Sequence, residues 1–521
     1  MMRDCALPVL WSSLDDIAPL LRLIPTLEYQ WETDEWKLQR NLREEDLVRF
    51  DLIAPFVKKL AFISAPGQIL SEIYEFKGRV PLLPGLASLS VIPRCRDYTE
   101  AFLHDRIQNL HIQRDASPFL PRDSLHSSPI LPLLQKSSPL LETLRLNLSS
   151  PSDFGIDLLD ITPWANLRVV SLPSLNFNML SMPTISDLLE HLSTLPKLQA
   201  LSIGLLHELS GSSMAPKSLH ASLSGRIYPF LTLKNLCLHA SNPIARAVLP
   251  AIRAPGIMNL DLVPSEGDWV MPCPGDSDVL STIARTQYRN LSTLRVQYWT
   301  ALEAAWLEPL LQIPGLRCMD MDLSKCSSLT DDLIDRMASS WPQLEHFRLS
   351  SSRGDVNLPI HGIQAFARHC PNLLSLSLDL KAADIPSPMA TKGLVPLGKL
   401  VIFSVSSWSK IHGDQEVDFI EQHLRVVLPS LQLAYVERRD ACDFGIEQKE
   451  DWDFAFDRIH QDLDPVLQEQ WTQFQPSFSE WRDSLVGKLT LTEYRKQQEE
   501  TAAAWAAGSE RMDSNAGEWD I

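Results

Sequence analysis

Asp320 and Asp322 stand two residues apart, which on an extended strand puts both carboxylates on one face, as a divalent cation would require. Two carboxylates alone fall short of the six or so oxygen ligands that hard cations take. Cys318 and Cys326 carry thiols, but their separation is too wide for a zinc knuckle and no His-x-x-x-His run partners them. Gly393-x-x-x-x-Gly398-Lys399 has the skeleton of a phosphate-cradling loop, yet Leu400 occupies the place of the magnesium-binding Ser or Thr. There is no Gly-x-Ser-x-Gly elbow and no His-Glu-x-x-His, and no two of the thirteen histidines stand at i and i+4. We therefore expect no catalytic residues, no metal site and no cofactor: the chain reads as a non-enzyme.

The elements that carry these residues recur. An apolar-x-x-apolar-x-apolar phrase appears at Leu141/Leu144/Leu146, Leu167/Val170/Leu172, Leu198/Leu201/Ile203, Leu233/Leu236/Leu238, Ile257/Leu260/Leu262, Leu291/Leu294/Val296, Leu316/Met319/Met321, Leu344/Phe347/Leu349 and Leu373/Leu376/Leu378. Weaker copies start at Val57, Leu86, Ile107, Leu400 and Leu431. Apolar residues two apart share one face of a strand, so each copy exposes an apolar side until a neighbour covers it. From Val57 to Leu431 the starts lie about 29 residues apart, at the long end of the leucine-rich-repeat range. The pattern predicts an α/β leucine-rich-repeat solenoid, a horseshoe with parallel strands on its concave face. Such an architecture offers an open surface and lacks the deep cleft that water-excluded chemistry prefers.

At 521 residues the chain exceeds what one core of about 250 to 300 residues holds, so it must divide or stack, and the repeats favour stacking. Of the formal charge of −18, residues 437–521 contribute −11, with 20 acidic against 9 basic side chains. An acidic chain without a basic stripe repels phosphates, which argues against nucleic acid or an anionic membrane as the main partner. Eight dispersed cysteines and a start unlike a signal peptide predict reduced thiols and a cytoplasmic or nuclear protein. No run of about 18 apolar residues is long enough to span a bilayer.

Between the strand phrases, helical spacing marks 329–338, 185–195, 363–369 and 419–428, with Thr330 placed to cap the first of these. Pro196, Pro314, Pro342, Pro371 and Pro429 each stand two residues before a phrase, ending the helix and setting up a turn. Segments 118–139, 205–228, 264–277 and 351–359, rich in Ser, Pro, Gly and Asp, read as insertions. After Val436 the pattern stops, leaving 437–521 as an acidic tail, helical then disordered.

The run Leu316 to Leu349 includes Cys326-Ser327-Ser328-Leu329-Thr330-Asp331-Asp332-Leu333 and Trp341-Pro342-Gln343-Leu344, and the next copy has Cys370-Pro371-Asn372-Leu373. It resembles the cysteine-containing leucine-rich repeats of F-box proteins. Ala6-Leu7-Pro8-Val9-Leu10-Trp11-Ser12-Ser13-Leu14, followed by Leu20-Leu21-Arg22-Leu23-Ile24-Pro25, is similar to the end of the F-box and the segment after it in fungal F-box proteins. The resemblance implies a substrate receptor that docks on the Skp-type adaptor of a cullin ubiquitin ligase and holds a protein substrate on its repeats. It carries adaptor binding onto Leu7, Pro8, Leu10 and Trp11. The implied organisation is 1–30 as the C-terminal remnant of an F-box-like segment, 31–436 as the repeat domain and 437–521 as the tail. A repeat scaffold with no ligase connection is the alternative, in which the N-terminal residues only cap the first repeat.

Residues between and just after the recurring apolar positions point to the concave face. These are His111, Gln113, Arg145, Asn147, Asp261, Arg295, Gln297, Asp320, Asp322, Arg348 and Asp379, whose mixed signs suit a protein partner better than one charged small molecule. Tyr298 and Trp299 follow Gln297 and add aromatic candidates.

Overall fold

The computed structural model describes residues 2–437 apart from 31–34, 62–66, 92–99, 113–136, 147–163, 177–181, 207–221, 264–276, 287, 298–300, 324, 328, 352–357, 360–361, 379, 382–394, 407–423, 425 and 430–432. They fall in two compact units, one spanning Met1–Ile313 and one beginning at Pro314.

In the first unit the strand phrases become β1 (Ser13–Leu14), β2 (Lys59–Leu60), β3 (Ser88–Val91), β4 (Asn109–Ile112), β5 (Thr143–Leu146), β6 (Val169–Asn176), β7 (Ala200–Leu206), β8 (Asn235–Ala240), β9 (Asn259–Val263) and β10 (Thr293–Gln297). Each pairs in parallel with the next. The second unit repeats the pattern with β11 (Cys318–Leu323), β12 (His346–Ser351), β13 (Ser375–Leu378), β14 (Ile402–Ser406) and β15 (Leu433–Glu437), again parallel and in sequence order. This is an α/β leucine-rich-repeat solenoid, as the spacing predicts.

Register is fixed by the apolar rungs. Leu110, Leu144, Val170, Leu201, Leu236, Leu260 and Leu294 stand opposite one another, and Ile112, Leu146, Leu172, Ile203, Leu238, Leu262 and Val296 are likewise buried beneath the sheet. A slip of one residue would turn every rung outward, and burying one Leu side chain is worth about 1.5–3 kcal/mol. The ladder therefore admits a single register.

A turn closes each repeat. The leading apolar residue donates its N–H to the carbonyl three residues earlier: Leu86 to Leu83 (3.0 Å), Leu167 to Trp164 (3.1 Å), Leu291 to Tyr288 (3.0 Å), Leu344 to Trp341 (3.0 Å) and Leu373 to Cys370 (3.1 Å). The repeat prolines occupy the second position of this turn, where their fixed φ is already correct and their missing N–H is not needed. At the third position of one turn, a Cβ on Gly85 would run into the Pro55 carbonyl oxygen, so the close approach demands glycine.

The first turn residue is buried too, and it varies. In the second unit Trp341 is fully buried, 6.4 Å from Phe347, which lies 4.7 Å from Phe366. Three of these residues bond the same position one repeat earlier. His104 Nε2 reaches Leu83 O (3.0 Å), Ser138 Oγ donates to His104 O (3.1 Å), and Cys370 Sγ donates to Trp341 O (3.5 Å) and Ala338 O (3.4 Å). Burial pushes the Cys370 thiol up to about 12, so it stays a neutral donor at the end of the helix Asp331–Ser340.

That helix is capped as its sequence predicts, Thr330 Oγ1 accepting the Leu333 N–H at 3.3 Å. The segments marked by spacing at 185–195 and 363–369 are helices Met182–Thr194 and Gly362–His369. The tail 438–521, most of 419–428 and most of the four insertion segments lie outside the described residues. No helix among the described residues is long and apolar enough to cross a membrane.

The N-terminal region departs from the repeat pattern. Leu27–Gln30 and Glu35–Leu38 form an antiparallel pair, and Arg40 grips the Asp46 carboxylate with both terminal nitrogens (2.9 and 2.8 Å). That bond, opposing the penalty of burial, holds Asp46 below the usual carboxylate range at the start of helix Glu44–Ile53.

Candidate functional site

Between the two buried rungs of each strand lies one residue that points away from the core. Register aligns these into a row: Ser90, His111, Arg145, Ser171, Ser202, Cys237, Asp261 and Arg295 across β3 to β10. In the second unit the same position gives Asp320, Arg348, Ser377 and Ser404 across β11 to β14. Thus six of the residues picked from sequence, His111, Arg145, Asp261, Arg295, Asp320 and Arg348, occupy one structural position.

Gln297 lies two residues beyond Arg295 and is exposed, and Asp322 falls on the backbone of β11. Gln113, Asn147, Asp379, Tyr298 and Trp299 lie outside the described residues.

Charges in the row are set against each other. Arg348 Nη1 meets Asp320 Oδ1 at 2.9 Å, with both side chains largely shielded from solvent. Asp320 is therefore an ion-pair partner, which leaves little of its carboxylate for a cation, and no group of three or more potential ligands gathers among the described residues. Asp261 and Arg295 face each other across β9 and β10. Arg145 is different: its in-register neighbours are His111 and Ser171.

Cys237 is the row member that charge-based reading passes over. Burial, reinforced by the Asp261 charge, pushes its thiol up to about 11, with Ser202 as a hydrogen-bond partner and Arg295 pulling the other way. Its Sγ lies 3.2 Å from His239 Nε2, and burial holds His239 below the ordinary imidazole value. His111 is lowered as well, by burial first and then by Arg145. A protonated thiol beside a neutral imidazole is a hydrogen-bonding surface, not a nucleophile. Ser90, Ser171, Ser202, Cys237, Ser377 and Ser404 were legible in the sequence as the residue following each first rung, but their lack of charge hid them.

Lys399, of the phosphate-loop skeleton, donates to Asn372 Oδ1 at 2.7 Å. Lys197 does the same to Asn166 Oδ1 at 2.7 Å, and all four residues immediately precede a leading leucine. Lys399 thus tethers neighbouring repeats.

Leu7, Pro8 and Leu10 lie in the helix Met2–Leu10. Val9 and Leu10 are 74% and 70% exposed, while Leu7, Pro8 and Trp11 are half-buried. Ser12 O accepts the N–H groups of Lys58 (2.9 Å) and Lys59 (3.0 Å), as Gln108 O does from Glu142 and Thr143 in a later repeat. Trp11 consequently stands where a repeat's leading leucine stands, a fifteenth start that the leucine count misses because tryptophan fills it.

No family model matches the chain, and no curated protein matches it. Solved structures of similar fold include the Rad7 and Elc1 complex in yeast, at 13% identity over 75% of this chain and 79% of that one, with a TM-score of 0.33. The leucine-rich-repeat protein LegL7 of Legionella pneumophila shares 14% identity over 65% of this chain and 96% of that one (TM-score 0.32). An internalin, inlF, of Listeria monocytogenes shares 14% over 71% and 95% (TM-score 0.33). At these identities and scores the likeness bears on nothing beyond the stacked-repeat architecture already seen in the ladders.

Proposed function

We propose that this chain is a non-catalytic substrate-recognition subunit of a Skp/cullin/F-box-type ubiquitin ligase, acting in the cytoplasm or nucleus. The protein substrate lies on the outward strand row, and the N-terminal helix meets the Skp-type adaptor. The coarser half rests on the fold: a leucine-rich-repeat sheet whose backbone is fixed by buried rungs, with an outward row that is exposed at Arg145, suits protein binding. No metal or cofactor enters the reading.

The observation that carries the ligase half is the helix Met2–Leu10, which ends on two adjacent apolar residues left mostly in water. Leaving Val9 and Leu10 exposed forgoes a few kcal/mol of burial that a partner can recover. Helix Glu44–Ile53 adds Val48 and Leu52, 64% and 63% exposed and one turn apart.

The place of Trp11 at the head of a repeat favours a second reading, in which the N-terminal residues cap the solenoid of a binding scaffold with no ligase connection. Co-precipitation with the Skp-type adaptor decides between them. Capture by the full chain that Leu10→Asp abolishes, with the melting temperature unchanged, supports the receptor; no capture leaves the scaffold.

A further inference from the structure

Across β3 to β7 the outward row reads Ser90, His111, Arg145, Ser171 and Ser202, each in register with the next. Every one of these side chains can donate a hydrogen bond, one is a permanent cation and none is a carboxylate. The row two residues earlier, Ser88, Asn109, Thr143, Val169 and Ala200, has no carboxylate either. Parallel strands lie about 4.8 Å apart, so the donors run for roughly 19 Å.

Arg145 is the centre of this stretch. The other two arginines of the row each have an aspartate on the adjoining strand, Asp261 for Arg295 and Asp320 for Arg348. Arg145 is exposed, and no described residue forms an ion pair or hydrogen bond with its guanidinium; the carboxylate on its own segment, Glu142, is turned to Arg168 at 3.7 Å. Beyond it the row residues on β6 and β7 are small, Ser171 and Ser202. A planar fork of donors suits two oxygens of one anionic group.

We propose that this donor row recognises an anionic side chain, a carboxylate or a phosphate monoester, carried by a protein segment laid across β3 to β7, with Arg145 as the anchor. The proposal rests on the strand-face reading above and gives the partner its chemistry. A polyanion such as nucleic acid is disfavoured by the chain's own charge of −18, whereas a single acidic group on a peptide is not.

The test uses the full chain and synthetic peptide pools of roughly eight residues, long enough to span the row when extended. The pools are acidic, phosphoserine-containing, neutral and basic, with matched hydropathy. The acidic or phosphoserine pool should bind best, and Arg145→Ala should weaken it about tenfold without moving the melting temperature. Arg145→Glu should shift preference to the basic pool. Whether carboxylate or phosphoserine peptides win assigns the source of the anion. Binding that ignores peptide charge and Arg145→Ala yet is blocked by Ser171→Trp overturns the anion proposal and keeps the strand face. Binding untouched by either substitution overturns both. An oligonucleotide held through Arg145 more tightly than any peptide also overturns it.

Discussion

The two compact units share one backbone solution and differ in what they place on it. In both, apolar rungs flank a single outward residue. In the second unit that row begins with Asp320 and Arg348 bonded to each other and continues into Ser377 and Ser404, both buried. In the first unit it exposes Arg145 between an imidazole and a hydroxyl, and only farther along do Asp261 and Arg295 face each other. The turn residue varies within the units as well: Trp341 joins an aromatic cluster while Cys370 bonds backward to a carbonyl in one, and His104 and Ser138 bond backward in the other. The rungs bear the fold, so the row and the turn residue are free to diverge.

Emptying the aromatic cluster should have the largest effect. Trp341→Ala removes a fully buried indole and is expected to cost about 3–5 kcal/mol, read as a lowered calorimetric transition; retention of the wild-type transition would mean that the cluster does not hold the second unit together. Asp320→Ala comes next, because it leaves the half-buried Arg348 guanidinium without its carboxylate, at about 1–3 kcal/mol. Arg145→Ala in the first unit should stay within about 0.5 kcal/mol when both variants are followed by denaturant titration, and equal losses at the two positions would erase the distinction drawn between the rows. Removing the helix cap with Thr330→Ala should cost about 1 kcal/mol by chemical denaturation.

The finest discrimination is by pH. His104 offers Nε2–H to Leu83 O and accepts the Arg106 N–H on Nδ1 at 3.2 Å, an arrangement that needs the neutral ring. Burial lowers its pKa; the Leu83 bond and nearby Asp105 act against that, and Arg106 acts with it. The neutral ring's contribution is therefore complete above the ordinary value of about 6.5 and is lost as pH falls from there through the lowered folded pKa, because the unfolded chain takes the proton first. His104→Gln, which can keep both bonds, should flatten part of the acid loss seen in melts across that range; among the described residues His111, His239 and His346, all lowered too, also contribute to it. An unchanged pH profile would show that His104 titrates as it does in the unfolded chain.

Much of the outward row was legible in the sequence. A residue lying between two rung positions must point opposite to them, because strand side chains alternate, and this is why His111, Arg145, Asp261, Arg295, Asp320 and Arg348 fall in one row. Cys237 and the row serines obey the same rule and were missed for want of charge. Gly398-Lys399 looked like part of a phosphate loop because a linear motif cannot show that the lysine already serves Asn372 one repeat away.

By itself, the sequence determined the repeat, its period, the parallel ladder and the outward row, since each follows from local periodicity that a single register satisfies. Only the tertiary structure decided which charges meet, that Arg348 is bonded to Asp320 while Arg145 lies between His111 and Ser171, that Trp11 heads a repeat, and that His104 and Ser138 bond backward through the turns. The physical reason is separation along the chain: partners on adjoining strands lie some tens of residues apart, and stacking, which no local pattern encodes, sets which side chain stands beside which.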